Sequence, residues 1–324
     1  MKTLVIGAGA LGSVFGGGLA YMGNEVTLLG RGTHIKTVQE KGLNIKGLKE
    51  YTVELKATTQ PAELDSFDLL VLAVKMQDSS AVLDAVSHIK VGAVLSFQNG
   101  VTKDDELAKH FGKAKVLGAT SIIGASRLSP GEANWTFDGG TYLGEFDRKT
   151  SSRAQNIIAQ LQAAGFKTEL SDDILAATWS KFVGWVPLGL LGLLTHLTSS
   201  ELLAEESVSE MYVLMVRELS ELAARRDIKV TDFGPYLLET LSTGTVDEAL
   251  CRVSESPLAF RPDVGRGPMH SMAQDILSGK TTELESCIGP IIKESNVNGI
   301  DIPVTKMIYN LARCVESSLD IPSQ

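Results

Sequence analysis

The feature that most constrains the fold is the stretch Gly7-Ala8-Gly9-Ala10-Leu11-Gly12, close to the start of the chain. It follows an apolar, β-rich run over residues 3–6 and precedes a segment of small residues that extends to Met22. A Gly-x-Gly-x-x-Gly turn between a buried strand and a helix is typical of dinucleotide-binding folds. Its second glycine lets the backbone approach a pyrophosphate at the helix N-terminus. We therefore expect these six residues to bind a dinucleotide cofactor; a glycine turn that binds no ligand is the alternative.

The residues after the predicted second strand, Glu25 to Leu29, bear on which dinucleotide is bound. An acidic residue at the end of that strand would hydrogen-bond the 2′-hydroxyl of the NAD ribose. Here Arg31 follows the strand, and the sequence has no carboxylate between Leu29 and Gln39. Because a 2′-phosphate favours a guanidinium over a carboxylate, we expect NADP(H) as the cofactor and Arg31 as its phosphate ligand. The alternative is that Arg31 is only a solvated loop residue.

The order of strand and helix patterns indicates two domains. Strands and helices alternate as far as residue 171, and the pattern is helical beyond it. We therefore predict an α/β Rossmann-type N-terminal domain over residues 1–171 and an all-α C-terminal domain over residues 172–324. The uncharged run from Phe182 to Leu197 contains Pro187 and is short for a membrane span, so we expect a buried helix there. A loop rich in helix breakers is predicted over residues 261–268.

Charge and cysteine usage exclude several classes of function. The net charge of −9 argues against nucleic acid or an anionic membrane as a partner. The three scattered cysteines, Cys251, Cys287 and Cys314, have no metal-site spacing, so we expect reduced thiols and no bound metal. The strand expected from Lys2 leaves no room for a signal peptide, which favours a cytoplasmic protein. The sequence leaves the oligomeric state open, and a homodimer is one arrangement that it allows.

Two further polar residues fall at the ends of predicted parallel strands. Lys75 follows the apolar run Asp68 to Val74, and Asn99 follows Ala93 to Phe97 in a Gln-Asn-Gly turn. Ligands of an open α/β sheet bind outside the carboxyl ends of its strands. We therefore expect Lys75 and Asn99 to join Arg31 at the cofactor. An Asn-Gly pair is also ordinary turn chemistry, which is the alternative for Asn99.

The helical half offers candidates for proton donation, which reduction of a carbonyl by a hydride requires. Lys181 lies in an apolar context, and burial of its charge would suit it to donating a proton. Further along, Ser271-Met272-Ala273-Gln274-Asp275 precedes Thr282 and Glu283. Thr282 and Glu285 have capping-box spacing, which would leave Glu283 free at the first helical position. The alternatives are a snorkelling lysine and an exposed first-turn acid.

Taken in order, these motifs resemble those of the ketopantoate reductase (2-dehydropantoate 2-reductase) family, nearly from end to end. The motifs are the glycine turn, the arginine after the second strand, Val74-Lys75, Gln98-Asn99-Gly100, Lys181, and Ser271 to Asp275 with Thr282-Glu283. The resemblance implies reduction of a 2-oxo acid to a 2-hydroxy acid by NADPH. It also implies that Lys181 is the catalytic proton donor, Glu283 its acidic partner, and Asn99 and Ser271 substrate ligands.

The chain departs from the family pattern on the substrate side. The family has asparagines four and eight residues after the lysine and a third in the next segment, where this chain has Trp185, Gly189 and Ser199. Without these amides the substrate has fewer hydrogen-bond partners, and Trp185 adds an apolar surface that would contact the substrate. We therefore expect a 2-oxo acid more apolar than ketopantoate. The alternatives are a non-catalytic NADP(H)-binding sensor and an imine- or opine-type reductase on the same scaffold.

Overall fold

The computed structural model describes residues 1–259, 267 and 269–318. The chain divides into two compact units, Met1–Leu175 and Ala176–Gln324, a few residues beyond the boundary expected after residue 171. Of the breaker-rich loop predicted over residues 261–268, only Gly267 is among the described residues.

The first unit is built on a parallel sheet with helices, which confirms the predicted Rossmann-type domain. Its strands are β1 (Lys2–Ile6), β2 (Glu25–Leu29), β3 (Leu43–Gly47), β4 (Tyr51–Val53), β5 (Lys56–Thr58), β6 (Ser66–Leu72), β7 (Lys90–Ser96), β8 (Gly118–Ser129), β9 (Glu132–Gly144) and β10 (Thr168–Leu170). Its α-helices are α1 (Ala10–Tyr21), α2 (Gly32–Lys41), α3 (Ser79–Val86), α4 (Lys103–Phe111) and α5 (Ser152–Ala163). The first sheet has the order β5-β2-β1-β6-β7, with every pair parallel. Its central strands are buried apolar runs, as strands covered on both faces require.

A second sheet has the order β10-β9-β3-β4, with β8 paired to β9. The sequence patterns predict two strands, at Trp135–Phe137 and Thr141–Leu143, and this prediction is wrong because β9 is continuous over 13 residues. The glycines that suggest a turn there, Gly139 and Gly140, lie where the register with β8 shifts. Gly140 has a φ of 109°, a conformation that glycine adopts readily, so the pair forms a bulge within one strand.

The small residues of α1 allow that helix to pack against both sheets. A Cβ at Gly16 would lie 3.5 Å from Val5 of β1, in ordinary contact with the first sheet. A Cβ at Gly17 would lie 3.1 Å from Ile45 of β3, on the second sheet. Residues from this helix and from both sheets therefore share one hydrophobic core.

The second unit is helical in its described residues, which confirms the predicted all-α C-terminal part. Its helices are α6 (Ile174–Thr195), α7 (Ser199–Ala204), α8 (Glu206–Ala224), α9 (Leu238–Ser242), α10 (Val246–Val253), α11 (Ser271–Leu277), α12 (Leu284–Cys287), α13 (Gly289–Val297) and α14 (Pro303–Ser318). The pattern from Glu283 to Ser295 predicts one helix, but the structure has two there. Pro290 lies in the first turn of α13, where its missing N–H costs no helical hydrogen bond.

Helix α6 forms the core of the second unit. Every residue from 178 to 193 is buried, and the helix continues through Pro187. Among the described residues it is the one helix long and apolar enough to cross a membrane. Its burial is typical of a core helix and agrees with the expectation for the run from Phe182 as far as residue 193, whereas the helix ends at Thr195 and residues 195 and 196 are exposed.

Two glycines of α6 provide a matched test of this packing. A Cβ at Gly184 would overlap the ring of Tyr236, whereas a Cβ at Gly192 would have its nearest neighbour at 3.5 Å. We expect Gly184→Ala to destabilise the protein by about 1–3 kcal/mol, the usual cost of overpacking. Gly192→Ala should be neutral or stabilising, because alanine favours helix more than glycine does. Urea unfolding of both variants checks this, and equal stabilities would contradict the packing described for α6.

Candidate active site

The glycine turn of the first unit brings α1 close to the ends of two strands. Gly7 has a φ of 105°, and a Cβ there would lie 2.6 Å from the backbone nitrogen of Val74. A Cβ at Gly12 would overlap the carbonyl oxygen of Gly7. At Gly9, the N-cap of α1, a Cβ would meet no atom within 4 Å. The absence of a Cβ at Gly7 and Gly12 thus allows α1 to pack closely on the strand ends. Gly9 leaves open space beside the helix N-terminus, where an anion is favoured.

Arg31 is the N-cap of α2 and lies two residues after the end of β2, with 88% of its side chain exposed. Its Nη2 lies 3.7 Å from Oδ2 of Asp78, which is itself about half exposed. Sequence reasoning missed this carboxylate because Asp78 follows β6 rather than β2. A pair so exposed contributes little to stability. The carboxylate of Asp78 nevertheless places a negative charge beside the Arg31 guanidinium, which is expected to bind a 2′-phosphate.

A buried glutamine ties together the strand ends that carry Lys75 and Asn99. Gln98 Nε2 donates to the carbonyl of Val74 at 2.8 Å and to Ser79 Oγ at 2.7 Å. Its Oε1 accepts from Ser96 Oγ at 2.9 Å. These bonds hold the ends of β6 and β7 in a fixed relation, so Lys75 and Asn99, both half-buried, lie at neighbouring strand ends. The sequence indicates the Gln-Asn-Gly turn but does not reveal that the Gln98 side chain links the two strand ends.

In the second unit, Lys181 lies on α6 with only 8% exposure. The neighbouring Ser180 is fully buried and accepts a hydrogen bond from the backbone N–H of Thr231 at 3.0 Å, which fixes this turn of the helix. Trp185, one turn further on, is also 8% exposed. Lys181, Trp185 and Gly189 are spaced four residues apart and therefore share one face of α6.

The charges of Lys181 and Glu283 both affect the pKa of the buried thiol of Cys287, which lies four residues after Glu283. Burial raises the pKa of that thiol, the charge of Glu283 raises it further, and the charge of Lys181 opposes both. Glu283 is half-buried and is the N-cap residue of α12. One charge thus comes from α6 and the other from the residue that precedes α12.

The predicted capping box is wrong. Helix α12 begins at Leu284, so Glu283 takes the N-cap position instead of the first helical position. Glu285 accepts a hydrogen bond from Tyr309 Oη at 2.7 Å and lies 3.2 Å from Arg313 Nε. The backbone N–H and the hydroxyl of Thr282 both donate to Glu316. Thr282 Oγ1 still accepts from the backbone N–H of Leu284 at 3.1 Å, but the carboxylate that pairs with Thr282 is Glu316 of α14, which sequence spacing cannot reveal.

The structure adds a histidine that sequence reasoning missed. His270 precedes Ser271, the exposed first residue of α11, and its ring lies 4.8 Å from the ring of Trp185. Burial has the largest effect on the pKa of His270 and, together with the charge of Lys181, lowers it to about 3. A hydrogen bond with the backbone of Trp185 has the opposite, smaller effect. His270 therefore belongs to the group around Lys181. Ser199, by contrast, begins α7, where Thr198 and Glu201 form a capping box.

Comparison with known proteins agrees with this arrangement. The model "Ketopantoate reductase PanE/ApbA" matches residues 3–148, and "Ketopantoate reductase PanE/ApbA C terminal" matches residues 173–316. The 2-dehydropantoate 2-reductase of Archaeoglobus fulgidus is 30% identical over 98% of this chain and 99% of its own length. This chain belongs to the ketopantoate reductase family. A second relative, the 2-dehydropantoate 2-reductase of Pyrococcus abyssi, is 29% identical over 98% of both chains.

Solved structures of the ketopantoate reductase fold extend over both units. The PanE/ApbA family ketopantoate reductase of Ralstonia eutropha JMP134 has a TM-score of 0.82 and 26% identity, covering 98% of this chain and 99% of its own. A D-mandelate dehydrogenase solved with NADH and anilino(oxo)acetate has a TM-score of 0.85 and 23% identity, covering 99% and 100%. The similarity to the D-mandelate dehydrogenase is a similarity of fold alone. Together they confirm the predicted architecture of a Rossmann-type domain followed by a helical one.

The ion pair between Arg31 and Asp78 yields a test of cofactor choice. Arg31→Ala should weaken NADPH binding about 10- to 100-fold, the range for hydrogen bonds to a charged group, and leave NADH binding nearly unchanged. Asp78→Asn is the matched variant and should tighten NADPH binding, because it removes a negative charge beside the 2′-phosphate. Titration calorimetry with both cofactors checks this. Equal affinity of the parent protein for NADPH and NADH would contradict the assignment of Arg31.

Proposed function

We propose that this protein reduces a 2-oxo acid to a 2-hydroxy acid with NADPH. The observation that carries the proposal is the burial of Lys181 on the apolar helix α6, with Trp185 one turn further along the same face. An ionic group buried in an apolar helix is costly and is found most often at functional sites. The relatives named 2-dehydropantoate 2-reductase extend over both units, which supports the same chemistry.

The residues of the first unit fit a bound dinucleotide. The open space at Gly9 admits a pyrophosphate to the N-terminus of α1. Arg31 would bind the 2′-phosphate, and Lys75 and Asn99 would line the nucleotide at the strand ends. When bound, NADPH supplies the hydride. This assignment of NADPH over NADH is supported by Arg31 and is opposed in part by Asp78, which lies beside it.

The residues of the second unit supply the proton. Reduction of a carbonyl turns its oxygen into an alkoxide, and a positioned acid must protonate it. We assign this role to the ammonium of Lys181, with Glu283 positioning it. Asn99 and Ser271 would hold the oxo acid. The same charge that donates the proton stabilises the negative oxygen as it forms.

The side chains next to Lys181 favour an apolar substrate. Trp185 presents an indole ring where the family has an amide, and Gly189 offers no side chain at all. A pocket without partners for a substrate hydroxyl gains nothing from the hydroxymethyl group of ketopantoate. An aromatic or branched 2-oxo acid would instead bury apolar surface against Trp185. A cytoplasmic location and a homodimer stay predictions from the sequence.

A substrate panel tests the proposed reaction. NADPH oxidation should be measured with ketopantoate, 2-oxoisovalerate and phenylpyruvate, and with mixtures of an amine and an oxo acid. We expect the highest kcat/KM with phenylpyruvate or 2-oxoisovalerate. A preference for ketopantoate of about tenfold or more, equivalent to about 1.4 kcal/mol in the transition state, would contradict the apolar pocket. Turnover only with the amine mixtures would favour an imine reductase.

Variants of the proposed proton donor test the mechanism. Lys181→Ala should lower kcat about 10²- to 10⁴-fold and leave the Kd of NADPH unchanged, because the loss is in general acid catalysis. Glu283→Gln should also lower kcat, and the double variant should lose less than the product of the two effects. Lys280→Ala removes an exposed lysine of the same unit and should behave as the parent protein does. Full turnover by Lys181→Ala would show that another group donates the proton.

A further inference from the structure

A buried histidine links the helix that follows the glycine turn to the helix that follows Arg31. His34 lies in the first turn of α2 and is only 3% exposed. Its Nε2 lies 3.2 Å from Oγ of Ser13, a fully buried residue in the first turn of α1, next to Gly12. One hydrogen bond between side chains therefore connects the N-terminal turns of α1 and α2.

The second sheet holds the same imidazole by its other nitrogen. Nδ1 of His34 accepts from the backbone N–H of Gly131 at 3.1 Å, in the turn between β8 and β9. Gly131 has a φ of 79°, and a Cβ there would lie 2.6 Å from Cγ2 of Thr37, so this turn packs closely on α2. The carbonyl of Gly131 accepts from the backbone N–H of Asn44 in β3 at 2.9 Å. The ring is thus fixed by the β8–β9 turn while it bonds to α1.

The backbone of Arg31 lies between two points that are tied to the glycine turn and α1. Before it, Gly30 packs on the turn itself, because a Cβ at Gly30 would lie 2.5 Å from Cβ of Ala8. After it, His34 lies three residues further along the chain and bonds to Ser13. The start of α1 is where a pyrophosphate would bind. The position of Arg31 is therefore set relative to that site.

From this geometry we infer that His34 is a positioning residue for cofactor choice, which holds Arg31 at the distance from the start of α1 that NADPH requires. This inference rests on the proposed function. The 2′-phosphate and the pyrophosphate of NADPH are joined through one ribose, so their separation varies little, and the two binding groups must be held to match it. NADH lacks the 2′-phosphate, so its binding does not depend on where Arg31 lies.

Two variants separate the bond to Ser13 from the bond to Gly131. The side-chain amide of His34→Gln reaches as far as Nε2 does and can bond to Ser13. The shorter amide of His34→Asn takes the place of Nδ1 and can bond only to Gly131. We expect the Kd of NADPH to rise about tenfold in His34→Asn and about threefold or less in His34→Gln. The Kd of NADH should stay within about twofold of the parent value in both variants.

Titration calorimetry at pH 8 measures these constants. The ring is neutral at that pH, because burial and the charge of Arg127 lower the pKa of His34. A merely structural role would weaken both cofactors alike or neither of them, so the ratio of the two Kd values is the decisive quantity. The same Kd of NADPH in His34→Asn and His34→Gln would overturn the inference.

A double variant tests whether His34 acts through Arg31. In an Arg31→Ala background, His34→Asn should not weaken NADPH binding further, because the group that it positions is absent. A further loss of about tenfold would overturn the inference. Ser13→Ala removes the partner of His34 on α1 and should weaken NADPH binding as His34→Asn does, so it carries the test if His34→Asn does not fold. An unchanged Kd of NADPH in Ser13→Ala would contradict the link between the two helices.

The titrations, read beside an assay with phenylpyruvate, distinguish this inference from the proposed function. A parent protein that prefers NADPH, and keeps that preference in His34→Asn, would overturn the inference alone. Loss of the preference in His34→Asn, in a protein that reduces no 2-oxo acid, would keep His34 as a positioning residue and contradict the proposed reaction. Equal affinity of the parent protein for NADPH and NADH would contradict both.

Discussion

The close approach of α1 to the ends of β1 and β6 is the constraint on which the rest of the first unit depends. It is possible only because Gly7 and Gly12 lack a Cβ, which would overlap the backbone of the turn or of Val74. The approach places the N-terminus of α1 at the carboxyl edge of the parallel sheet. Gln98 then holds the ends of β6 and β7 together at that same edge. The site for an anionic cofactor is therefore a consequence of how the helix packs.

In the second unit the corresponding constraint is one buried charge. Lys181 is the single charged residue from 178 to 193, a stretch in which every residue is buried. Taking an ammonium out of water is unfavourable unless nearby groups compensate for it. The charge of Lys181 lowers the pKa of the Cys287 thiol and of the His270 ring, and the charge of Glu283 raises the pKa of the same thiol. Such an arrangement costs stability and is understandable if the charge is used in catalysis.

The sequence predicted those parts of the protein that depend on local signals. The glycine turn, the alternation of strand and helix, and the apolar run in α6 each lie within one short window, so the two-part fold could be recognised. The bulge at Gly139 and Gly140 was mistaken for a turn because glycine serves both. Asp78, His270 and the partners of Glu285 come from distant parts of the chain, and no local pattern reveals such contacts.

The family relationship and the geometry lead to one central claim, which is hydride transfer from NADPH to the carbonyl carbon of a 2-oxo acid. The most direct measurement is a turnover with phenylpyruvate and NADPH deuterated at both C4 positions, followed by mass spectrometry of the product. The account predicts phenyllactate that carries one deuterium on C2 and a hydroxyl proton that comes from the protein and solvent. A product without deuterium, or oxidation of the cofactor without a 2-hydroxy acid, would contradict it.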